Sequence, residues 1–290
     1  MQSSSLKRHV KVSVAIPASL VSDIPHLREK TLKIGLIGRV LAIFRVDEII
    51  IYPDILDQNQ TRDSSLIKAI LSYMETPQYL RRRLFKIRPE LRYVGILPPL
   101  RTPHHPTESR EKALKIGEYR EGVVVSSDDK GVHVDIGVER SVLIPNVYLK
   151  VNSRVTVKIR EKGERLIGEI VDSDELKTYW GYKINVSDLP LSSILKDRRY
   201  NLVIATSRHG DPVTKIIDKI SDLWRRSKRV LVAFGSPTQG LQEILRQEHV
   251  KLEEAADFVV NTIPNQGVKT VRTEEAIYAT LAIFNAFMPD

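Results

Sequence analysis

Between residues 96 and 175 the chain changes character, and the change divides one α/β pattern into two pieces. Leu97 to Pro106 reads LPPLRTPHHP, four prolines in ten residues. Proline lacks the amide hydrogen and fixes φ, so no helix runs through such a stretch, and it reads as a linker. From Gly117 to about Val171 short apolar runs follow (REGVVV, VHVDIG, SVLIPN, RVTVKIR, LIGEIV), separated by glycine and charged turns. Regular spacing of this kind predicts a small barrel or sandwich.

On either side of that block the pattern is helix and strand in alternation. Lys11 to Ile16 alternates as a strand, Val21 to Phe44 has helical spacing, and Val46 to Tyr52 is a buried strand carrying three isoleucines. A helix over Ser64 to Met74 with Asp63 as its cap follows, then a short helix over Pro77 to Phe85. After Asp197 come strands at Asn201 to Thr206, Arg229 to Phe234 and Asp257 to Val260. Each is followed by a helix: Pro212 to Trp224, Thr238 to Arg246 and Thr273 to Phe287. Strand–loop–helix repeats demand parallel strands with helical crossovers. The predicted organisation is one α/β domain, residues 1–95 and 176–290, interrupted by a barrel at residues 96–175. At 290 residues the chain exceeds the roughly 100 to 200 residues usual for one domain.

Lysine and arginine number 45 against 36 acidic residues, a formal charge of +9, which favours a polyanionic partner such as nucleic acid. The absence of cysteine rules out disulfides, thiolate metal sites and cysteine nucleophiles. Histidines 104 and 105 adjoin linker prolines, where solvation accounts for them, and His133 and His209 stand alone. With no HExxH spacing, no metal site is expected. No run of 18 apolar residues occurs, so the expected location is cytoplasmic, away from membranes.

In open parallel sheets, ligands gather beyond the carboxyl ends of the strands. Three loops occupy that place: ATSRHGD (Ala205 to Asp211), AFGSPTQGL (Ala233 to Leu241) and NTIPNQGVKTVRTEEA (Asn261 to Ala276). Gly235, Gly240 and Gly267 let backbone groups approach a ligand, because no Cβ intervenes. Thr273 also offers a cap to the last helix, and Glu274 and Glu275 suit its positive end.

These loops carry a resemblance. Arg229 to Ile244 and Phe258 to Ala276 resemble the second and third motifs of the SPOUT superfamily of RNA methyltransferases, and Lys33 to Tyr52, with Arg39 seven residues before Val46, resembles the first. The likeness is to the archaeal and eukaryotic branch with an OB-like insertion, and it extends over essentially the whole chain. It implies a knotted parallel-sheet domain, with a trefoil knot in the carboxyl-terminal third, and a small inserted RNA-binding barrel. It further implies S-adenosyl-L-methionine as cofactor, held by Thr206, Arg208, Gly235, Gly240, Asn261, Thr262, Ile263, Gly267 and Val268. Ile263 and Val268 would pack the adenine faces, while Asn261 or Thr206 reaches hydroxyls.

Arg39 and Arg272 are the catalytic candidates, since a guanidinium can hold a phosphate or a developing base anion. Ribose-methylating relatives carry Ser-Leu-Asn where this chain has Thr270, Val271 and Arg272, which favours methylation of a base, with uridine N3 in ribosomal RNA as the specific expectation. RNA would be gripped by Arg81, Arg82 and Arg83, by Arg225 and Arg226, and by the cluster from Lys196 to Arg199, with Tyr119 and Tyr148 able to stack bases. A homodimer is expected, associating through the helices that begin at Thr238 and Thr273, with Arg39 acting in its own site or the partner's. The alternative is a non-catalytic RNA-binding ribosome-assembly factor that keeps the fold.

Overall fold

The computed structural model describes residues 6–288, so the extreme ends of the first and last segments lie outside the described residues. In chain order the elements are β1 (Lys11–Pro17), α1 (Leu27–Ile43), β2 (Glu48–Tyr52), α2 (Thr61–Glu75), α3 (Gln78–Leu84), β3 (Tyr119–Asp128), β4 (Gly131–Asp135), β5 (Val142–Pro145), β6 (Arg154–Lys162), β7 (Leu166–Val171) and β8 (Lys183–Val186). They continue with α4 (Leu191–Leu195), β9 (Leu202–Pro212), α5 (Val213–Arg226), β10 (Arg229–Ala233), α6 (Leu241–Gln247), α7 (Leu252–Ala255), β11 (Phe258–Asn261) and α8 (Thr273–Phe287). They form two compact units. The α/β unit takes Arg8–Ser72, Pro89–Pro98 and the chain from Gly181 onward, and the barrel unit takes Tyr73–Arg88 and Pro99–Trp180 with the short segment ending at Lys7.

The α/β unit is built on a parallel six-stranded sheet in the order β11-β9-β10-β1-β2-β8. The central strands VSVAI, IIIY and VLVA are buried throughout, as a sheet covered on both faces requires. On one face Ala15, Ile50, Tyr52, Leu231 and Ala233 pack with Leu191, Leu241, Leu245 and Leu252. The edge strand β8, KINV, is largely exposed and too short to show a period, so its sequence gave no strand signal.

Several element bounds differ from expectation for local reasons. The first helix starts at Leu27, not Val21, because Pro25 cannot continue a helix, and Val21 to Ile24 close a turn of their own, with Ile24 N–H donating to the Val21 carbonyl at 3.2 Å. Helix α2 opens at Thr61, whose amide is accepted by the Asn59 side chain at 2.9 Å; Asp63 lies inside the first turn, 3.9 Å from Lys30, and caps nothing. Helix α6 opens at Leu241 because Ser236 to Gln239 closes a turn of its own, with Ser236 N–H donating to the Gln239 carbonyl at 2.8 Å.

In the barrel unit the strands close in the order β3-β4-β5-β7-β6 around Val124, Val132, Val134, Val142, Ile144, Val157 and Ile159. Gly131 sits at φ +143, and a Cβ there would lie 2.1 Å from the Ile144 carbonyl, so only glycine makes this close strand entry. The proline-rich stretch is no solvated linker beyond Pro98. Leu100, Thr102 and His104 are buried, and His104 and His105 both point Nε2 at the Glu75 carbonyl, at 2.8 and 2.6 Å. A carbonyl only accepts, so each Nε2 carries the hydrogen. Arg154 links the Glu75 and Glu121 carboxylates, and Trp180 Nε1 and Thr156 Oγ1 complete Glu121. The stretch turns at Thr102 to His105 and sends Leu100, Thr102 and His104 into the unit instead of releasing it.

Candidate functional site

The largest irregularity of the sheet makes the site. Strand β9 pairs with β11 through Ala205↔Val259 and then resumes at Asp211↔Val260. Residues 206–210, Thr-Ser-Arg-His-Gly, therefore stand out of the ladder as a bulge, and what reads as a loop in sequence is counted within one long strand. Gly210 lets the bulge return, since a Cβ at that position would lie 2.6 Å from the Val259 carbonyl.

The bulge, the loop after β10 and the loop after β11 enclose a cleft of about 420 Å³. That volume is in the range of small-molecule sites. Its walls include Thr206, Arg208, Gly235, Gly240, Asn261, Thr262 and Ile263, which the structure brings together from three separate segments. Gly267 and Val268 are not on the wall; they lie on the exposed part of the third loop, with Val268 60% exposed.

Hydrogen bonds stitch the three segments to one another. Thr206 Oγ1 donates to the Ala233 carbonyl at 2.9 Å, joining β9 to β10. Asn261 Nδ2 donates to the Arg208 carbonyl at 2.9 Å while its Oδ1 accepts from Ile263 N–H at 3.0 Å, so one amide joins the bulge to the third loop. Gln266 Nε2 reaches the Val268 carbonyl at 2.8 Å and curls that loop. Thr262 is buried and its hydroxyl meets Thr280 of α8 at 2.8 Å. Beneath the second loop, Tyr52 Oη donates to the Phe234 carbonyl at 2.7 Å. Burial, then the Asp54 and Glu248 charges, pushes that phenol well above its ordinary value, so it remains a donor.

Arg208 donates its Nε–H to His209 Nε2 at 3.0 Å, and Lys269 joins both on the wall. The sequence does not single out His209, Lys269, Gln266 or Glu243 as ligand contacts, although His209, Gln266 and Lys269 lie in the three loops it points to. Their common signal is position after a parallel strand.

The two catalytic candidates lie off the wall. Arg39 is half-buried on α1. Arg272 is exposed at the N-cap of α8, between the wall residues Val271 and Thr273, and its N–H donates to Glu275 at 2.8 Å. Thr273 therefore caps nothing. It is the first helical residue, with Arg272 and not Thr273 at the N-cap, and its Oγ1 donates to the Gly235 carbonyl at 3.2 Å. Glu275 supplies the capping carboxylate, and Glu274 turns inward, 3.3 Å from the buried Lys33.

Of the basic candidates, Arg81 is committed internally, donating to the Thr76 and Met74 carbonyls and covering the Tyr73 ring at 4.5 Å. Arg82 is exposed, and Arg83 meets Asp135 at 2.9 Å. Arg225 and Arg226 are exposed in the last turn of α5. Tyr119 approaches Trp180 at 6.4 Å between ring centroids, and Tyr148 is 70% exposed. Among the described residues no group of three or more histidines and carboxylates is placed to hold a metal ion, and no helix is long and apolar enough to cross a membrane.

The sequence model of a family described as "Putative RNA methyltransferase" matches residues 11–284, nearly the whole chain. The chain belongs to this RNA methyltransferase family. A protein of Haloarcula marismortui of uncharacterized function is 32% identical over 282 residues, covering 93% of this chain and 96% of the relative. A 28S rRNA (uridine-N(3))-methyltransferase of Homo sapiens is 31% identical over 306 residues, covering 95% of this chain and 78% of the relative. The corresponding enzyme of Mus musculus is also 31% identical, over 312 residues, covering 97% and 77%. In this methyltransferase the matched span contains the complete sheet, the barrel and every segment of the cleft.

Proposed function

We propose that this methyltransferase uses S-adenosyl-L-methionine to methylate N3 of a uridine in ribosomal RNA, with the donor lying in the cleft between β9, β10 and β11. The observation that carries the reading is the convergence of the three strand-following segments on one cleft of about 420 Å³. The residues present suit an adenosyl group. A Cβ on Gly235 would come within 3.0 to 3.2 Å of Gln239, Gly240 and Leu241 backbone atoms, so the second loop is folded as tightly as glycine allows, leaving a wall rich in backbone groups. Asn261 and Thr206 give polar atoms and Ile263 an apolar surface. A trefoil knot formed as the last segments thread the sheet is part of the same proposal.

The donor supplies an electrophilic methyl group on a sulfonium. The chain's task is alignment and charge: N3 of uridine loses its proton to solvent, its electron pair forms the N–C bond, and the S–C pair remains on sulfur. Arg208 and Lys269 stand on the wall, with His209 accepting from Arg208 Nε–H, and their positive charge favours an anionic base or the phosphate beside it. Arg272, next to wall residues Val271 and Thr273, and Arg39 are proposed to act on the same RNA. Arg82, Arg83, Arg225 and Arg226 are proposed as backbone contacts, with Arg81 bracing the last turn of α3, from which Arg82 and Arg83 project.

A homodimer is proposed, supported by Leu32, Leu36 and Ile43, which expose 46 to 50% of their surface along α1, with Tyr278 exposed at 47% on the contacting α8. The proposed location is cytoplasmic. Calorimetric titration with S-adenosyl-L-methionine, followed by mass spectrometry of treated ribosomal RNA, tests the whole reading. Micromolar binding that Gly235→Val abolishes, with 3-methyluridine in the RNA, is expected. Product carrying only 2′-O-methyl ribose defeats the base assignment, and absence of donor binding defeats the enzymatic reading in favour of an RNA-binding assembly factor.

A further inference from the structure

Glu243 is the one acidic side chain on the wall of the cleft. It lies in the first turn of α6, exposed, and among the described residues no hydrogen bond or ion pair engages its carboxylate. Its Oε2 lies 2.6 Å from where a Cβ on Gly240 would stand, and beyond Gly240's chain neighbours no other group lies within 4 Å of that point. Gly240 has φ −74 and ψ 167, an extended conformation open to any residue. Glycine is therefore not needed here for backbone freedom; what a side chain at 240 would displace is the Glu243 carboxylate. The positive groups of the wall belong elsewhere: Arg208 stands on the β9 bulge and Lys269 on the third loop, where Arg208 Nη1 reaches the Lys269 carbonyl at 3.4 Å. The cleft thus holds one unneutralised anion apart from its cations.

We propose that Glu243 reads the charge of the methyl donor, its carboxylate facing the sulfonium and favouring donor over spent product. This rests on the reading of the cleft as the donor site. Methyl transfer leaves the S–C electron pair on sulfur, converting a cation to a neutral thioether, while the ammonium, the carboxylate and the ribose stay the same. Attraction to Glu243 is present before transfer and gone after it, so the residue selects the loaded cofactor and eases release of the used one. Because the charge is already fading in the transition state, the attraction does not lower the chemical barrier and slightly raises it from the bound state; its benefit lies in donor binding and product exchange. An exposed pair of this kind changes affinity by about fivefold and is screened by salt.

The test is calorimetry of the full-length wild-type chain, Glu243→Gln and Glu243→Asp with S-adenosylmethionine and S-adenosylhomocysteine, each at low and high salt. Glu243→Gln is expected to weaken the sulfonium ligand about fivefold and the thioether less than twofold, with the difference shrinking at high salt and partly recovered by Glu243→Asp. Unaltered thioether affinity also shows that the variant's cleft is intact. Equal weakening of both ligands overturns the proposal, since it assigns the carboxylate to the ammonium or ribose that they share, and so does no change in either. If the wild-type chain binds neither ligand, the cleft is not the donor site and both readings fall; if it binds both and the preference survives Glu243→Gln, only this inference falls.

Discussion

Thr273 Oγ1 donates to the Gly235 carbonyl at 3.2 Å, so the first residue of the last helix holds the first glycine of the loop after β10. The bond joins segments 38 residues apart in sequence and both on the wall of one cleft. Thr273→Val keeps the shape, removes the donor and leaves a carbonyl to find water. The expected result is a loss of about 1 kcal/mol in stability by urea denaturation and a few-fold weaker donor binding by calorimetry. Unchanged affinity alongside the stability loss would assign the bond to the fold alone.

Asn261 joins two segments through one amide, donating to Arg208 and accepting from Ile263. Asn261→Ala cuts both bonds at the edge of the sheet and frees the bulge carrying Arg208 and His209. Donor affinity is expected to fall about tenfold, the equivalent of two ordinary hydrogen bonds, while the circular dichroism spectrum is retained. Asn261→Asp preserves only the acceptor half and should lie between alanine and the wild type.

Arg154 stands between two carboxylates, with Glu75 Oε1 at 3.0 Å from its guanidinium and Glu121 on its other side. Removing one member of such a buried set leaves unpaired charge. Arg154→Ala is expected to destabilise the barrel unit by about 3 kcal/mol, and Arg154→Lys, which cannot bridge two carboxylates with one fork, by somewhat less. Chemical denaturation of both variants measures this; equal stability to wild type would mean that the carboxylates find other partners.

Acid should act on the barrel unit in two stages. Burial, then the neighbouring His104, pushes His105 down from 6.5 to about 3, so the unfolded chain takes up a proton that the folded chain refuses across that window. Stability is therefore complete above about 6.5 and declines as pH falls toward 3. Burial pushes the Glu75 carboxyl up, but Arg154 and His104 outweigh it and hold it at about 2, so its contribution is present above 4.5 and is lost as pH falls from there. Denaturation midpoints measured across this range should bend near both points, and His105→Gln should remove the upper slope while leaving the one below 4.5. A His105→Gln profile that keeps its upper slope would refute the assignment.

Much of the architecture was open to reading from residue patterns. The buried runs VSVAI, IIIY and VLVA state a parallel sheet because no solvated face could accept them, and the glycine-bounded valines of residues 117–171 state a small barrel. Helix α8 has the expected bounds because Glu274 and Glu275 mark its first turn. The histidines were misplaced for a physical reason: prolines forbid helix but say nothing of burial, and the Glu75 carbonyl that receives His104 and His105 lies 29 and 30 residues away.

By itself the sequence determined the two kinds of unit, the order along the chain of the strands other than β8, and the three glycine-bearing segments at the carboxyl ends of the last strands, since these follow from periodicity and from glycine, proline and charge within short windows. Only the tertiary structure decided that residues 206–210 leave the ladder as a bulge, that Gly267 and Val268 stand off the cleft wall while His209, Lys269 and Glu243 stand on it, and that the Glu243 carboxylate lies beside Gly240. Those facts depend on strand register and on distances between segments tens of residues apart, where a shift of one residue turns every side chain to the opposite face.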